Sequence, residues 1–407
     1  MRHFTLLSAS VLAVLTLAAC AAVAAPTQSP LTPPPPTLAP GPWLDAPIEQ
    51  PDAVLDAPSL SPGYQCHPCH YLAENDLFGV ANWPAGFIAV GVQEPPAQAI
   101  AFTSSDGMSW TPVAGFSGPE TSSAVGVASD GTRTVVVGLQ HSGAIAWAFD
   151  GHSWQQAPDQ AAMHVDYAAG GMTTVIAFKG GFVAGGYRDD PLHGTASAAV
   201  WRSDDGLTWQ LDDPPAGVFD RGRIWSLAAL GDTIVAVGTG GDPIYGPAAA
   251  WRWTAPTGWQ RATISPSDAG AMAAVTAGPD GLIAVGKNGS DLGAGVWSST
   301  DGQTWTAVAD QPALHYYQLP LRMQGVAATP TGLLVGGWRS DVGKGSAVTW
   351  FATDDSAWSD PTWEPSFSGG EITGVAVSVD GSVAVAVGRT GYPDWNRATA
   401  WFRKAPY

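Results

Sequence analysis

The sequence predicts an all-β chain in which one unit of four short strands is repeated seven times. Three observations predict it. A short apolar strand ending in glycine recurs seven times, an aromatic-ended strand follows each of those glycines, and the composition is poor in charge but rich in glycine and tryptophan.

The glycine-ended strands are Phe87-Ile88-Ala89-Val90-Gly91, Val135-Val136-Val137-Gly138, Phe182-Val183-Ala184-Gly185-Gly186, Ile234-Val235-Ala236-Val237-Gly238, Leu282-Ile283-Ala284-Val285-Gly286, Leu333-Leu334-Val335-Gly336-Gly337 and Val385-Ala386-Val387-Gly388. Their last glycines are separated by 47, 48, 52, 48, 51 and 51 residues. Turns such as Pro279-Asp280-Gly281 precede them, and small-residue strands such as Met272 to Ala277 precede the turns. The aromatic-ended strands close on Phe102, Trp147, Trp201, Trp251, Trp297, Trp350 and Trp401. A hairpin turn and a fourth strand complete a unit of about 50 residues, the period of a β-propeller blade. Small residues suit the crowded centre of such a ring, and tryptophans suit its wider rim. The expected fold is therefore an all-β, seven-bladed β-propeller of four-stranded blades.

Composition agrees. Charged residues are 13% of the chain, against about a quarter in ordinary domains. Gly 49, Pro 34 and Trp 19 favour strands and tight turns over solvated helices. The net charge of −18 argues against nucleic acid as a partner, because phosphate contacts need clustered Lys and Arg.

The seventh repeat stops at Trp401-Phe402-Arg403-Lys404 without a fourth strand. Gly41 to Pro47, containing Trp43, resembles fourth strands such as Ser153 to Pro158. The last blade is expected to be closed by this N-terminal strand, which removes an open edge.

The N-terminus reads as an export signal. Arg2, the apolar run Phe4 to Leu17 and the small residues before Cys20 have that layout, and the run is too short to span a membrane. Leu17-Ala18-Ala19-Cys20 resembles the bacterial lipobox, which implies residues 1–19 as a lipoprotein signal peptide and Cys20 as the lipidated residue. The alternative is cleavage of an ordinary signal peptide, after Ala25. Residues 20–40, rich in Ala and Pro, form a tether, and 41–407 the propeller. The expected location is outside the bacterial cytoplasmic membrane or on the cell surface, with membrane contact through the lipid anchor only.

The turns between third and fourth strands share a pattern. Ser104-Ser105-Asp106-Gly107-Met108-Ser109-Trp110, Ser203-Asp204-Asp205-Gly206-Leu207-Thr208-Trp209 and Ser299-Thr300-Asp301-Gly302-Gln303-Thr304-Trp305 fit Ser-x-Asp-Gly-x-Ser/Thr-Trp. They resemble the Asp-box (BNR-type) repeats of sialidase-like propellers, shortened by one residue between Asp and Gly. In such turns Asp and Ser bond backbone groups, Gly accepts positive φ and Trp packs into the blade. The expected role of these residues is architectural. The arginine-containing first-strand motif of sialidases is not found, and Glu120, Glu364 and Glu371 lie near loops without a tyrosine partner.

Loops between blades, and between second and third strands, share the opposite face. That face carries nine of the 17 Lys and Arg residues. Its candidate binding residues are His164, Arg188, Arg221, Arg223, His315, Tyr316, Tyr317, Arg322, Arg339, Arg389 and Arg397. Loops are where charges go, which accounts for much of the set. The mix of Arg, Asp and aromatic side chains would suit a carbohydrate or peptide.

The sharpest chemical motif is Cys66-His67-Pro68-Cys69-His70, in the link over residues 45–76. Exported thiols oxidise, so a Cys66–Cys69 disulfide is one reading. Attachment of haem c with His70 as iron ligand, and a metal site using Cys66, Cys69, His67 and His70, are the others. No cofactor is expected beyond these two alternatives. The functional expectation is a surface-anchored, non-catalytic propeller presenting its loop face to a glycan, peptide or envelope protein. The alternatives are a sialidase-like glycan hydrolase or lyase, and an exported redox or metal protein built on Cys66, Cys69 and His70.

Overall fold

The computed structural model describes residues 41–49, 54–56, 70–72, 74–94, 96–141, 143–164, 170–190, 195–241, 246–267, 270–278, 280–290, 292–317, 319–341, 344–355, 357–391 and 397–405. All lie in one unit, Pro40–Tyr407. Cys20, Cys66, His67 and Cys69, with the expected signal peptide and tether, fall outside the described residues.

The strands, in chain order, group into meanders. β1 (Leu44–Ala46) comes first, followed by the small pair β2 (Val54–Asp56) and β3 (His70–Leu72). Next are β4 (Glu74–Trp83), β5 (Gly86–Glu94), β6 (Gln98–Ser104) and β7 (Thr111–Pro112). Then come β8 (Ser122–Ser129), β9 (Thr134–Gln140), β10 (Gly143–Phe149) and β11 (Trp154–Gln156). The third group is β12 (Gly170–Phe178), β13 (Gly181–Asp190), β14 (Thr195–Ser203) and β15 (Gln210–Leu211). The fourth is β16 (Gly222–Leu230), β17 (Thr233–Gly240), β18 (Ala248–Thr254) and β19 (Gly258–Arg261). After β20 (Thr263–Ser265) follow β21 (Ala271–Gly278), β22 (Gly281–Lys287), β23 (Ala294–Ser299) and β24 (Thr304–Ala307). The last strands are β25 (Leu321–Thr329), β26 (Gly332–Asp341) and β27 (Lys344–Ala352), then β28 (Gly370–Val377), β29 (Val383–Thr390) and β30 (Arg397–Lys404).

Within each meander neighbouring strands pair antiparallel. Beside β27 the fourth position is held by bridges at Thr349↔Thr362 and Ala352↔Trp358. β1 pairs with β30, placing Leu44, Asp45 and Ala46 opposite Phe402, Trp401 and Ala400. Trp43 is buried, and its ring lies 6.1 Å from that of Phe367.

First strands contact one another in cyclic order: β4, β8, β12, β16, β21, β25, β28 and back to β4. Thr373 Oγ1 of β28 donates to Leu77 O of β4 at 2.6 Å, and Thr173 Oγ1 of β12 donates to Ile224 O of β16 at 2.6 Å. Both threonines stand at register shifts, and every first strand is shifted at the corresponding place, from Leu77/Gly79 to Ile372/Gly374. These are β-bulges, which insert one residue and bend the strand. The bulge explains the recurring glycine of the second strand. A Cβ on Gly91, Gly138, Gly186, Gly238, Gly286, Gly337 or Gly388 would come within 3.0 Å of a first-strand carbonyl, that of Asp76, Ser123, Gly171, Arg223, Ala271, Arg322 or Glu371.

The tryptophans hold the outer layers. Nε1 of Trp147, Trp201, Trp251, Trp350 and Trp401 donates to a carbonyl of the linker that enters the same meander, at Ser117, Ala162, Val218, Ala313 and Ser366. These five third strands are thereby tied to their linkers.

The Ser-x-Asp-Gly turns bond as their chemistry suggests. Gly206 N–H donates to Ser203 Oγ (2.8 Å), Leu207 N–H to Asp205 Oδ1 (2.8 Å), and Trp209 Nε1 to Gly206 O (3.1 Å). The turns at Ser104, Asp106, Gly107 and at Ser299, Asp301, Gly302 repeat the serine and aspartate bonds, and Trp305 repeats the tryptophan bond. Trp110 packs on Phe87 at 6.4 Å. Gly206 has φ +78 and stands against Val135 of the preceding sheet, so each turn also touches its neighbour.

Two substitutions test this frame. Gly238→Ala should cost about 3 kcal/mol or more, because the methyl group meets rigid backbone. Trp43→Ala should cost about 3–5 kcal/mol by emptying a packed site at the closing strand. Chemical denaturation followed by tryptophan fluorescence measures both, and losses below about 1 kcal/mol would contradict the packing described.

Candidate functional site

The bulge and the glycine set what lines the ring on the loop face. The carbonyls that crowd the glycines belong to Asp76, Ser123, Gly171, Arg223, Ala271, Arg322 and Glu371, one from each first strand. Their partners on the second strands are Val92, Leu139, Tyr187, Thr239, Lys287, Trp338 and Arg389. Two sides of this circle carry charge.

On the first side, Arg223 of β16 forms a double bond set to Asp189 of β13, with Nη2 at 2.6 Å from Oδ1 and 2.7 Å from Oδ2. Its guanidinium also lies 4.1 Å from the centre of the Tyr187 ring, and Tyr187 meets Trp225 edge-on at 5.7 Å. Burial, partly opposed by the Arg223 charge, pushes the Tyr187 hydroxyl above its usual range.

On the second side, Glu371 of β28 accepts from two arginines. Arg322 Nη2 reaches Oε1 at 2.9 Å, while Arg389 reaches Oε2 through Nη2 at 2.6 Å and Nε at 3.1 Å. Arg389 Nη1 also bonds Asp76 Oδ2 at 3.1 Å, joining β29 to β4. Burial raises the Glu371 carboxyl, but the Arg322 and Arg389 charges, with hydrogen bonds from Arg389 and Gln324, outweigh it and hold the group below the usual carboxylate range. A carboxyl kept ionised in this way is the opposite of a glycosidase's general acid, which needs its affinity for a proton raised.

Arg322 differs from its neighbours. Its side chain is 45% exposed, against 8% for Glu371. Among the described residues it makes one hydrogen bond, and it lies 4.7 Å from the centre of the Trp338 ring. Gly345 gives that ring its space, since a Cβ there would overlap Trp338 Nε1. The result is a guanidinium over an indole ring, partly open to solvent.

The other expected binding residues make contacts outside these two networks. His164 and His315 bond Asp159 and Asp310 of their own linkers, each just after a 3-10 turn. Arg188 Nη2 reaches His164 O at 3.5 Å, and Arg221 O accepts from Gly241 N–H. Arg397 starts β30 and is exposed. Arg339 lies 4.5 Å from the Tyr316 ring centre and 5.7 Å from that of Trp363, with Tyr317 beside Tyr316. His70 pairs with Asp56 in the β2–β3 ladder. No group of three His, Cys, Asp or Glu able to hold a metal occurs among the described residues.

Sequence reasoning reached Arg223, Arg322 and Arg389 because they are loop-proximal charges. It passed over Asp76, Gln324, Tyr187 and Trp225 as partners, and noted Glu371 only as a glutamate near a loop without a tyrosine partner. The register relative to the recurring glycine would have found Asp76 and Glu371, which share one register position in their first strands with Arg223 and Arg322.

No protein-family model matches the chain, and no curated protein matches it by sequence. Solved structures do. The chain is similar to a structure described as YCF48 bound to D1 peptide, with a TM-score of 0.54 and 13% identity over 82% of this chain and 95% of that one. It also aligns with a Trypanosoma rangeli sialidase mutant displaying trans-sialidase activity (TM-score 0.45, 12% identity, 90% of this chain and 59% of that one). A phage phi92 endosialidase aligns at TM-score 0.43 and 13% identity, over 82% of this chain and 69% of that one. The fold is that of a β-propeller.

The Glu371 network sets a pH dependence. A carboxyl depressed in the folded state stabilises it above the unfolded pKa and loses that contribution as pH falls through the folded value. Glu371→Gln, which leaves two arginines without their shared carboxylate, should cost about 3 kcal/mol at pH 7. The deficit against wild type should hold above 4.5, the ordinary value of a glutamate carboxyl, and shrink below it. Denaturation midpoints of both proteins between pH 7 and pH 3 check this, and a deficit that grows on acidification would refute it.

Proposed function

We propose that the chain is a seven-bladed binding propeller, closed by its N-terminal strand and anchored at the cell surface through Cys20, that uses its loop face to hold an anionic segment of a peptide or glycan. Arg322 is the observation that carries this reading. A guanidinium backed by Trp338, anchored by one bond to Glu371 and otherwise presenting donors to solvent, is suited to a carboxylate taken in two-pronged fashion.

Charge distribution supports it. The chain is strongly acidic at −18, yet Arg223, Arg322, Arg389 and Lys287 gather at the ring opening against Asp76, Asp189 and Glu371. A cluster of cations in an otherwise acidic protein would draw anions to that opening. Binding fits better than turnover because the buried carboxylate there is held ionised by arginines. The similar structure in complex with a peptide shows that such a fold can present a ligand surface, and the glycan reading follows from the Arg and aromatic mixture. The Ser-x-Asp-Gly turns are read as Asp-box repeats with a purely architectural role. The Cys66–Cys69 pair is read as a disulfide of the link, with no cofactor.

Purified full chain should be exposed to an immobilised panel of acidic, neutral and basic peptides and oligosaccharides. Acidic members should be retained, with affinity falling as salt rises. Arg322→Ala should weaken retention about tenfold or more. Equal retention of basic and acidic members, or an Arg322→Ala protein that binds as wild type, would sink the reading.

A further inference from the structure

Large hydrophobic side chains that stay exposed among the described residues are Leu44, Leu292, Tyr317, Trp363 and Val379. Only two are aromatic, in a chain with 19 Trp, 9 Tyr and 12 Phe. These two belong to different linkers, yet they join one cluster. Tyr317 meets Tyr316 at 5.1 Å, Arg339 lies 4.5 Å from the Tyr316 ring centre, and Arg339 lies 5.7 Å from that of Trp363. Trp363 flanks Arg339 directly and Tyr317 joins it through Tyr316, so the two exposed aromatic residues belong to one surface rather than to scattered exposure.

Backbone conformation adds a second, independent sign. Tyr317 is 86% exposed and has φ +44. Left-handed backbone costs a bulky L-residue about 1–2 kcal/mol, and here no burial of the ring offsets that cost. Strain of this kind persists where the surrounding structure over-determines it, typically at ligand clamps. Tyr316 does the holding: it packs on the core cluster that contains Leu314, Leu321 and Trp350.

We propose that Tyr317 and Trp363, with Arg339 and Tyr316 between them, form a subsite for an acidic sugar of a glycan. This rests on the reading of the loop face as a ligand surface, and names the class of ligand. A pyranose ring offers flat C–H faces that stack on exposed aromatic rings, and its carboxylate is drawn by the Arg339 charge. A peptide strand is less suited, because the edge of β27 beside the cluster is already bridged at Thr349↔Thr362, which closes strand addition.

The test is titration of the full chain with tetragalacturonate, and with neutral cellotetraose as control, read by tryptophan fluorescence and by saturation-transfer NMR on the sugar C–H protons. Saturable binding of the uronate, weaker binding of the neutral sugar and about tenfold weakening in Tyr317→Ala are expected. Tyr317→Ala removes an exposed side chain, so its folding is safe; Trp363→Ala, checked for an unchanged melting transition, should weaken binding similarly. Uronate binding that is unchanged in Tyr317→Ala, or that is matched by cellotetraose, overturns the subsite. If acidic peptides bind and respond to Arg322→Ala while no saccharide binds, the subsite falls and the anionic reading of the opening stands. If neither class binds, both fall.

Discussion

One steric relation organises the molecule: the bulge in each first strand presses a carbonyl against the glycine of the second strand. The bulge turns the strand so that it packs edge to edge with the first strands of both neighbours. It also frees a side chain such as Thr173 or Thr373 to bond the next strand's backbone. The glycine is the only residue that tolerates the resulting approach. Seven copies of one local contact therefore set the curvature of the whole ring, with no long-range instruction beyond repetition.

The same relation places the chemistry. The residue whose carbonyl meets the glycine sits at the loop-side end of its first strand, one register step from the bulge. Four of these positions hold Asp76, Arg223, Arg322 and Glu371, and the networks they form cross from one sheet to the next. Burying Glu371 alone would be costly, and two arginines make it favourable while leaving Arg322 half in solvent. Architecture and candidate recognition share residues, which is why substitution of Glu371 is expected to affect stability and Arg322 chiefly binding.

Outer layers follow a separate rule. Tryptophan indoles bond the linkers that enter their own meanders, so linker conformation is set by the third strand rather than by the linker's own sequence. The 3-10 turns and histidine–aspartate pairs of two linkers, at His164 and His315, repeat because they answer the same carbonyl geometry. Tyr317, in the linker of His315, stays exposed beside Tyr316, which packs on the core.

Sequence alone determined the repeat, the strand order within it, the closing role of the segment at Trp43 and the bonding of the Ser-x-Asp-Gly turns. All are local or periodic: alternation, turn chemistry and recurrence are written along the chain. It also found the arginines, because few other charges compete in a chain that is 13% charged. It did not show that Glu371 joins Arg322 to Arg389, that Asp189 faces Arg223, or that Trp363 and Tyr316 approach one arginine. Apart from Glu371 and Arg389, which pair across one sheet, those partners lie on different sheets or linkers, and Asp76 and Arg389 are 313 residues apart. Packing of consecutive sheets decides which of them meet, and meeting of the last sheet with the first decides it for Asp76 and Arg389, since a one-residue bulge changes the face each later side chain presents.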